Sequence, residues 1–181
     1  MVSVEAEKEH RMSSNGTSDV AALIALMETH GNLPGVQAHG CGMLAALAND
    51  ASRDSKYTIA RVGGIRAVIQ AMKNYPKEAA VQAHGCDALA RLAFRHQDNQ
   101  MAIAQEDGIG QILTAMHSHG RDTAVQMNGC GALLNLASME ENKRAITTAD
   151  GIGVIREAMR HHPTRDEVQE LGHAAVTFLS K

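Results

Sequence analysis

Apolar residues return along this chain at helical spacing. From Gly63 the sequence reads GGIRAVIQAMKNYP, where Ile65, Val68, Ile69 and Met72 fall on one helical face. From Lys77 it reads KEAAVQAHGCDALARLAF, where Val81, Gly85, Ala88, Leu89 and Leu92 keep the i, i+4, i+7, i+8, i+11 spacing of a buried stripe. A shorter segment, SKYTIARV from Ser55, precedes both. Three helical pieces therefore make one unit. Asn99 and Asn142 stand where first helices are expected to begin, and Asp107 and Asp150 stand before second helices. All four are of N-cap type. Pro76 and Pro163 fall where the second-helix pattern stops.

The unit recurs. Val-Gln pairs start at Val36, Val81, Val125 and Val168, Gly-Ile pairs at Gly64, Gly108 and Gly151, and Ala-Met pairs at Ala71, Ala115 and Ala158, with Leu26-Met27 in the matching place upstream. The shared period is longer than ankyrin or tetratricopeptide units and fits helical repeats of two or three helices. One unit cannot bury its apolar face alone, so units stack. Gly40, Gly85, Gly129 and Gly172 recur inside the third helix. Glycine costs a helix about 1 kcal/mol relative to alanine, so its recurrence predicts a close helix approach there.

Several of these positions together resemble the armadillo repeat: N-x-x-x-I, a Gly-Ile start, then V-Q and a closing N-L-A. They are written here as NQMAIAQEDGIGQILTAM followed by AVQMNGCGALLNLA. HEAT repeats have a similar length but usually lack the Gly-Ile start. The resemblance implies an all-α fold, a right-handed superhelical α-solenoid of about four three-helix repeats with the first incomplete. It also implies a role in binding proteins. The expected boundaries are a polar, flexible arm over residues 1–18 and one armadillo-repeat domain over 19–181. Its repeats run approximately over 19–53, 54–97, 98–140 and 141–181. The position matching Ile59 is Ser14, so the first unit has no recognisable first helix.

Charge and composition narrow the function. Aromatics are 2% of the chain and Trp is absent, which suits a core of closely stacked helices. A net charge of −3 argues against nucleic acid as partner. The start, MVSVEAEKEH, has acids where a signal peptide would be basic, and VAALIALM from Val20 is too short to span a bilayer. The expectation is a protein of the cytoplasm or nucleus that meets no membrane.

No residue pattern carries catalysis. Nucleophile elbow, phosphate loop and H-E-x-x-H are all missing from the sequence. Cys41, Cys86 and Cys130 occupy equivalent places and read as small buried hydrophobes rather than as metal ligands or a disulfide. His30, His119 and His162 share one repeat position with Tyr75, near a helix C-terminus, where a histidine is expected to meet that helix's last carbonyls. No cofactor and no metal is expected.

The second stripe of the third helix is the functional candidate. Repeat by repeat it reads Gly35, His39, Gly42, Ala46; Ala80, His84, Asp87, Arg91; Ala124, Asn128, Gly131, Asn135; Glu167, Leu171, Ala174, Phe178. The resemblance places this ladder in a concave groove. The candidate binding residues are His39, Ala46, His84, Asp87, Arg91, Asn128, Asn135, Leu171 and Phe178, with Arg91 and Asn135 meeting a partner's backbone or carboxylate. Of the Trp and Asn that importin-like members carry here, only Asn135 has a match. Small residues such as Gly42 and Gly131 are expected to leave room for a partner helix or folded surface. The expected function is a non-catalytic scaffold that binds a partner protein or peptide in the groove. The alternative is a self-assembling module that forms a homo-oligomer through its C-terminal repeat, where Leu171, Val176, Phe178 and Leu179 make the last helix apolar.

Overall fold

A computed structural model describes residues 17–49 and 53–181, and every regular element in them is a helix. Helix α1 covers residues 17–29. It is followed by α2 (Pro34–Ala48), α3 (Arg53–Arg61), α4 (Gly64–Asn74), α5 (Ala79–Ala93), α6 (Gln97–Gln105), α7 (Gly108–Ser118), α8 (Thr123–Leu136), α9 (Glu140–Thr148), α10 (Gly151–His161) and α11 (Asp166–Leu179). Residues 17 and 18, expected in the arm, already belong to α1. The rest of that arm, Ser14 included, lies outside the described residues.

Like packs on like. Third helices stack as α2 on α5, α5 on α8 and α8 on α11, while second helices stack as α4 on α7 and α7 on α10. The result is an α-solenoid. The predicted stripes are its core: Ile65, Val68, Ile69, Met72, Val81, Ala88, Leu89 and Leu92 are all buried.

The recurring words are the two halves of shared contacts. A Cβ on Gly85 would lie 2.6 Å from Met72 Cγ and Sδ, and one on Gly129 would lie 2.5 Å from Met116 Cγ. Gly40 meets Met27 and Gly172 meets Met159 in the same way. The methionine that ends each second-helix stripe therefore fills the space that the third-helix glycine leaves. The Gly-Ile start has a similar cause. A Cβ on Gly64, Gly108 or Gly151 would collide with the preceding helix's Ile59, Ile103 or Ile146, approaching its carbonyl oxygen at 2.8, 2.7 and 2.8 Å.

The glutamine of each Val-Gln pair ties the third helix to the end of the second. Gln82 Nε2 donates to Met72 O (3.0 Å) and Tyr75 O (2.8 Å), and Gln126 Nε2 to Met116 O (2.8 Å) and His119 O (3.0 Å). Gln37 and Gln169 repeat the arrangement. Carbonyls at a helix C-terminus lack helical partners, and this amide supplies them.

Two sequence expectations are corrected. Asn99 and Asn142 are not N-caps; they lie inside α6 and α9, and His96 and Met139 hold the cap positions. Their side chains point back instead, Asn99 Nδ2 donating to Leu92 O (3.0 Å) and Asn142 Nδ2 to Gln100 O (3.1 Å). Asp107 and Asp150 do hold N-cap positions, but neither caps with its side chain. Both adopt a left-handed backbone, φ 68° and 58°, which Gly63 adopts at 92°. Asp tolerates that region better than most residues, which accounts for its place here. The Asp107 and Asp150 carboxylates lie over Gly110 and Gly153, three residues on. In the unit with Gly63 the matching residue is Arg66, where no carboxylate needs the space.

The last helix presents few of its apolar residues outward. Leu179 is buried, Leu171 and Val176 are half-buried against the core, and Phe178 is its exposed large apolar residue. The larger exposed apolar set is in the first unit: Leu26 (48% exposed), Met43 (43%) and Leu47 (40%). Their counterparts in the next three units, Ala71, Ala88 and Leu92 among them, are buried. A preceding unit packs over those positions, and none precedes Leu26 among the described residues.

Candidate functional site

The ladder residues occupy the faces of α2, α5, α8 and α11 beside the core stripe. His39, Ala46, His84 and Phe178 are exposed, while Asp87, Arg91, Asn128, Asn135 and Leu171 are half-buried. Several are already engaged. Arg91 Nε donates to Asp87 Oδ1 at 2.7 Å, an i, i+4 ion pair on α5. Asn128 Nδ2 donates to Ala83 O and Asn135 Nδ2 to Ala90 O, both at 2.9 Å. Each bond crosses from α8 to the neighbouring third helix, so these amides stitch the stack as well as facing the groove.

The small residues lie beside side chains of the following unit. A Cβ on Gly42 would meet the His84 ring at 3.4 Å, and one on Gly131 would meet Leu171 at 3.8 Å. In both places the following unit's side chain is at ordinary contact distance, and a methyl group would fit. The surface deepens along the C-terminal ends of α5, α8 and α11. There a cleft of about 650 Å³ is lined by Asn135, Phe178, Phe94 and Arg95. Sequence reasoning named Asn135 and Phe178 and missed Phe94 and Arg95. A signal was present: Val81 to Asn99 is one residue longer than Val125 to Asn142. Arg95 takes up the extra residue with φ 55°, and Phe94, the C-cap of α5, is left 47% exposed.

The histidine ladder differs from expectation. His119 and His162 are C-caps of α7 and α10, but their rings reach the preceding unit's loop. His119 Nε2 lies 2.8 Å from Pro76 O and His162 Nε2 lies 2.9 Å from Gly120 O, just as the Tyr75 hydroxyl donates to Gly31 O at 2.7 Å. They are links between units rather than caps of their own helices. Cys41, Cys86 and Cys130 are free and fully buried, and burial pushes each thiol up to about 12. A thiol so raised is neither a ready nucleophile nor a ready metal ligand.

Stacked two- and three-helix units with a side-chain ladder on the third helices define an α-solenoid repeat protein. The sequence profile described as the LRRK2 ARM repeat matches residues 61–181, about two thirds of the chain. The chain belongs to the armadillo repeat family. Among solved structures it is similar to an engineered protein from the Northeast Structural Genomics Consortium, with a TM-score of 0.76 at 24% identity. The likeness covers 89% of this chain and 62% of that one, so the chain spans less than two thirds of its structural neighbour. A search of curated proteins gives no match. Among the described residues, no helix is long and apolar enough to cross a membrane.

Proposed function

We propose that the chain is a non-catalytic scaffold that binds a segment of a partner protein along the ladder of α2, α5, α8 and α11. One observation carries this reading. The ladder is a continuous face whose polar groups keep unused capacity and whose far end holds an exposed aromatic residue, Phe178. Arg91 spends one donor on Asp87 and has a planar fork with four more N–H groups. Asn135 spends its amide N–H on Ala90 and keeps its side-chain oxygen for a partner N–H. His39, His84 and Asn128 flank that pair along the face, with Ala46 and Leu171 as apolar contacts. The family's usual protein-binding role supports the same reading.

The test is a pull-down from the source organism's lysate with the wild-type chain and an Asp87→Ala, Arg91→Ala variant. Removing both members of the ion pair leaves no orphan charge and keeps the stitching asparagines. A partner held by wild type and lost by the variant supports the groove. Equal capture by both would sink it. Capture of the chain alone would favour self-assembly, with the exposed Leu26, Met43 and Leu47 as the first surface to alter.

A further inference from the structure

The chain has two phenylalanines and no tryptophan. Both phenylalanines stand at the surface, and both line the cleft at the end of the ladder. An aromatic-poor chain that spends both phenylalanines on one wet cleft is not using them for its core. Exposed large apolar side chains are informative where they cluster, and aromatic and arginine side chains dominate binding hot spots.

Cations surround the two rings. Lys56 Nζ lies 5.2 Å from the Phe94 ring centroid and the Arg95 guanidinium carbon 5.1 Å from it. Lys143 Nζ lies 5.7 Å from the Phe178 centroid. None of the three takes part in an ion pair among the described residues. Lys56 is also held in place, donating to Phe94 O at 2.9 Å. Of the residues lining the cleft, Arg95 is the cation and Asp98 the carboxylate, and Lys56 and Lys143 add two more cations beside the rings. Two exposed rings flanked by three cations, none of them in an ion pair among the described residues, make an apolar seat with positive groups at its rim.

We propose that this cleft binds an acidic peptide segment of a partner. One apolar side chain sits between Phe94 and Phe178, and flanking carboxylates meet Lys56, Arg95 and Lys143. The volume, about 650 Å³, is in the range of ligand-sized pockets and leaves room for a short stretch of peptide. Leu134 and Asn135 also line it, and Asn135, whose amide N–H goes to Ala90 O, has a side-chain oxygen able to accept a peptide N–H. The inference rests on the protein-binding reading and gives it a partner chemistry. It is specific to this junction. In the next unit the residue matching Phe94 is Ser138, so the seat is not repeated along the solenoid.

The test selects random twelve-residue peptides displayed on phage against the intact chain. The most enriched peptide is then titrated by fluorescence polarisation. Acidic sequences with a leucine or an aromatic residue are expected to enrich. Phe94→Ser with Phe178→Ala should weaken the best of them at least about thirtyfold, the size expected for two aromatic anchors. Lys56→Glu with Lys143→Glu should weaken it at least about tenfold and reduce its salt sensitivity. Circular dichroism checks each variant's fold, and the charge reversal alone decides if the Phe variant is misfolded. Enrichment of basic or uncharged sequences, or no enrichment, overturns the proposal, as does binding within twofold of wild type in a folded Phe variant or in the charge-reversal variant. Peptides lost with Asp87→Ala, Arg91→Ala but indifferent to the Phe changes would leave the groove standing and remove this cleft. Peptides indifferent to both would remove both.

Discussion

Replacing Gln126 with methionine tests whether the repeated glutamine is what holds each unit together. Methionine has nearly the same length and flexibility, so the change removes two hydrogen bonds with little change of volume. Gln126 is 1% exposed, so water does not take the place of the lost amide. Its donors go to Met116 O at 2.8 Å and His119 O at 3.0 Å. The two carbonyls fare differently. His119 O keeps the Asp122 N–H at 2.9 Å, whereas Met116 O lies in the last turn of α7 and loses a partner from outside its helix. One net hydrogen bond is worth about 1 kcal/mol, and a buried acceptor left unpaired costs about 1–3 kcal/mol. The expected loss is about 2–3 kcal/mol. With a urea slope of about 1–3 kcal/mol per molar, the midpoint should fall by about 1 M in an equilibrium titration followed by far-ultraviolet circular dichroism. Gln169→Met should cost less, because Gln169 makes the same two bonds but is only half-buried. A Gln126→Met midpoint within about 0.2 M of wild type would refute the reasoning. So would an equal loss at both sites.

Two glycines on one helix should respond in opposite directions. Gly129→Ala puts a Cβ 2.5 Å from Met116 Cγ and should destabilise by about 1 kcal/mol, because overpacking costs about 1–3 kcal/mol and helix propensity returns up to about 1. Gly131→Ala meets nothing nearer than Leu171 Cδ1 at 3.8 Å and should stabilise by up to about 1 kcal/mol; thermal unfolding of the pair checks the sign of each. The cysteines predict loss of stability in alkali. Each thiol is raised in the folded chain from 9.0 to about 12, so its contribution is complete below pH 9 and falls as pH rises towards 12, by about 1.4 kcal/mol per pH unit per thiol. Urea titrations at pH 8 and pH 10 should differ accordingly, and a Cys41→Ala, Cys86→Ala, Cys130→Ala variant should lose most of the difference. Asn135→Ala removes the bond to Ala90 O and should cost about 1 kcal/mol, with faster amide exchange where α8 packs on α5.

The periodic part of the fold was legible because each repeated word has a partner word. Met116 and Gly129 share one space, as do Ile103 and Gly108, and spacing alone brought them into register. What spacing could not give is direction. Asn99 and Asn142 stand where N-caps are common, yet their amides turn back to carbonyls of neighbouring helices. His119 and His162 stand at helix ends, yet they reach the preceding loop. In each case a polar side chain chose a partner about one repeat away in the chain or across a helix junction, a contact that exists only after stacking. The candidate site was hidden for a related reason. A helical wheel of α5 ends before Phe94, and its exposure follows from the extra loop residue that Arg95 absorbs.

The third helix therefore carries two kinds of duty on adjoining stripes, and they constrain one another. Asn128 and Asn135 face the ladder while holding α8 to α5, so a change there alters the stack before it alters a partner. His84 and Leu171 stand at contact distance from Gly42 and Gly131, so the neighbouring unit shapes the surface there. Residues off this stitching are freer to specialise. Phe94 lies just past the end of α5, Phe178 near the end of α11, and Lys56 and Lys143 on the short first helices of their units. These positions lie at the stack's edge, and of their side chains Lys56, through its bond to Phe94 O, also ties two elements together. Specific recognition is then expected along the C-terminal ends of α5, α8 and α11, beside the loop where an extra residue enters. That is where the chain has placed both of its phenylalanines.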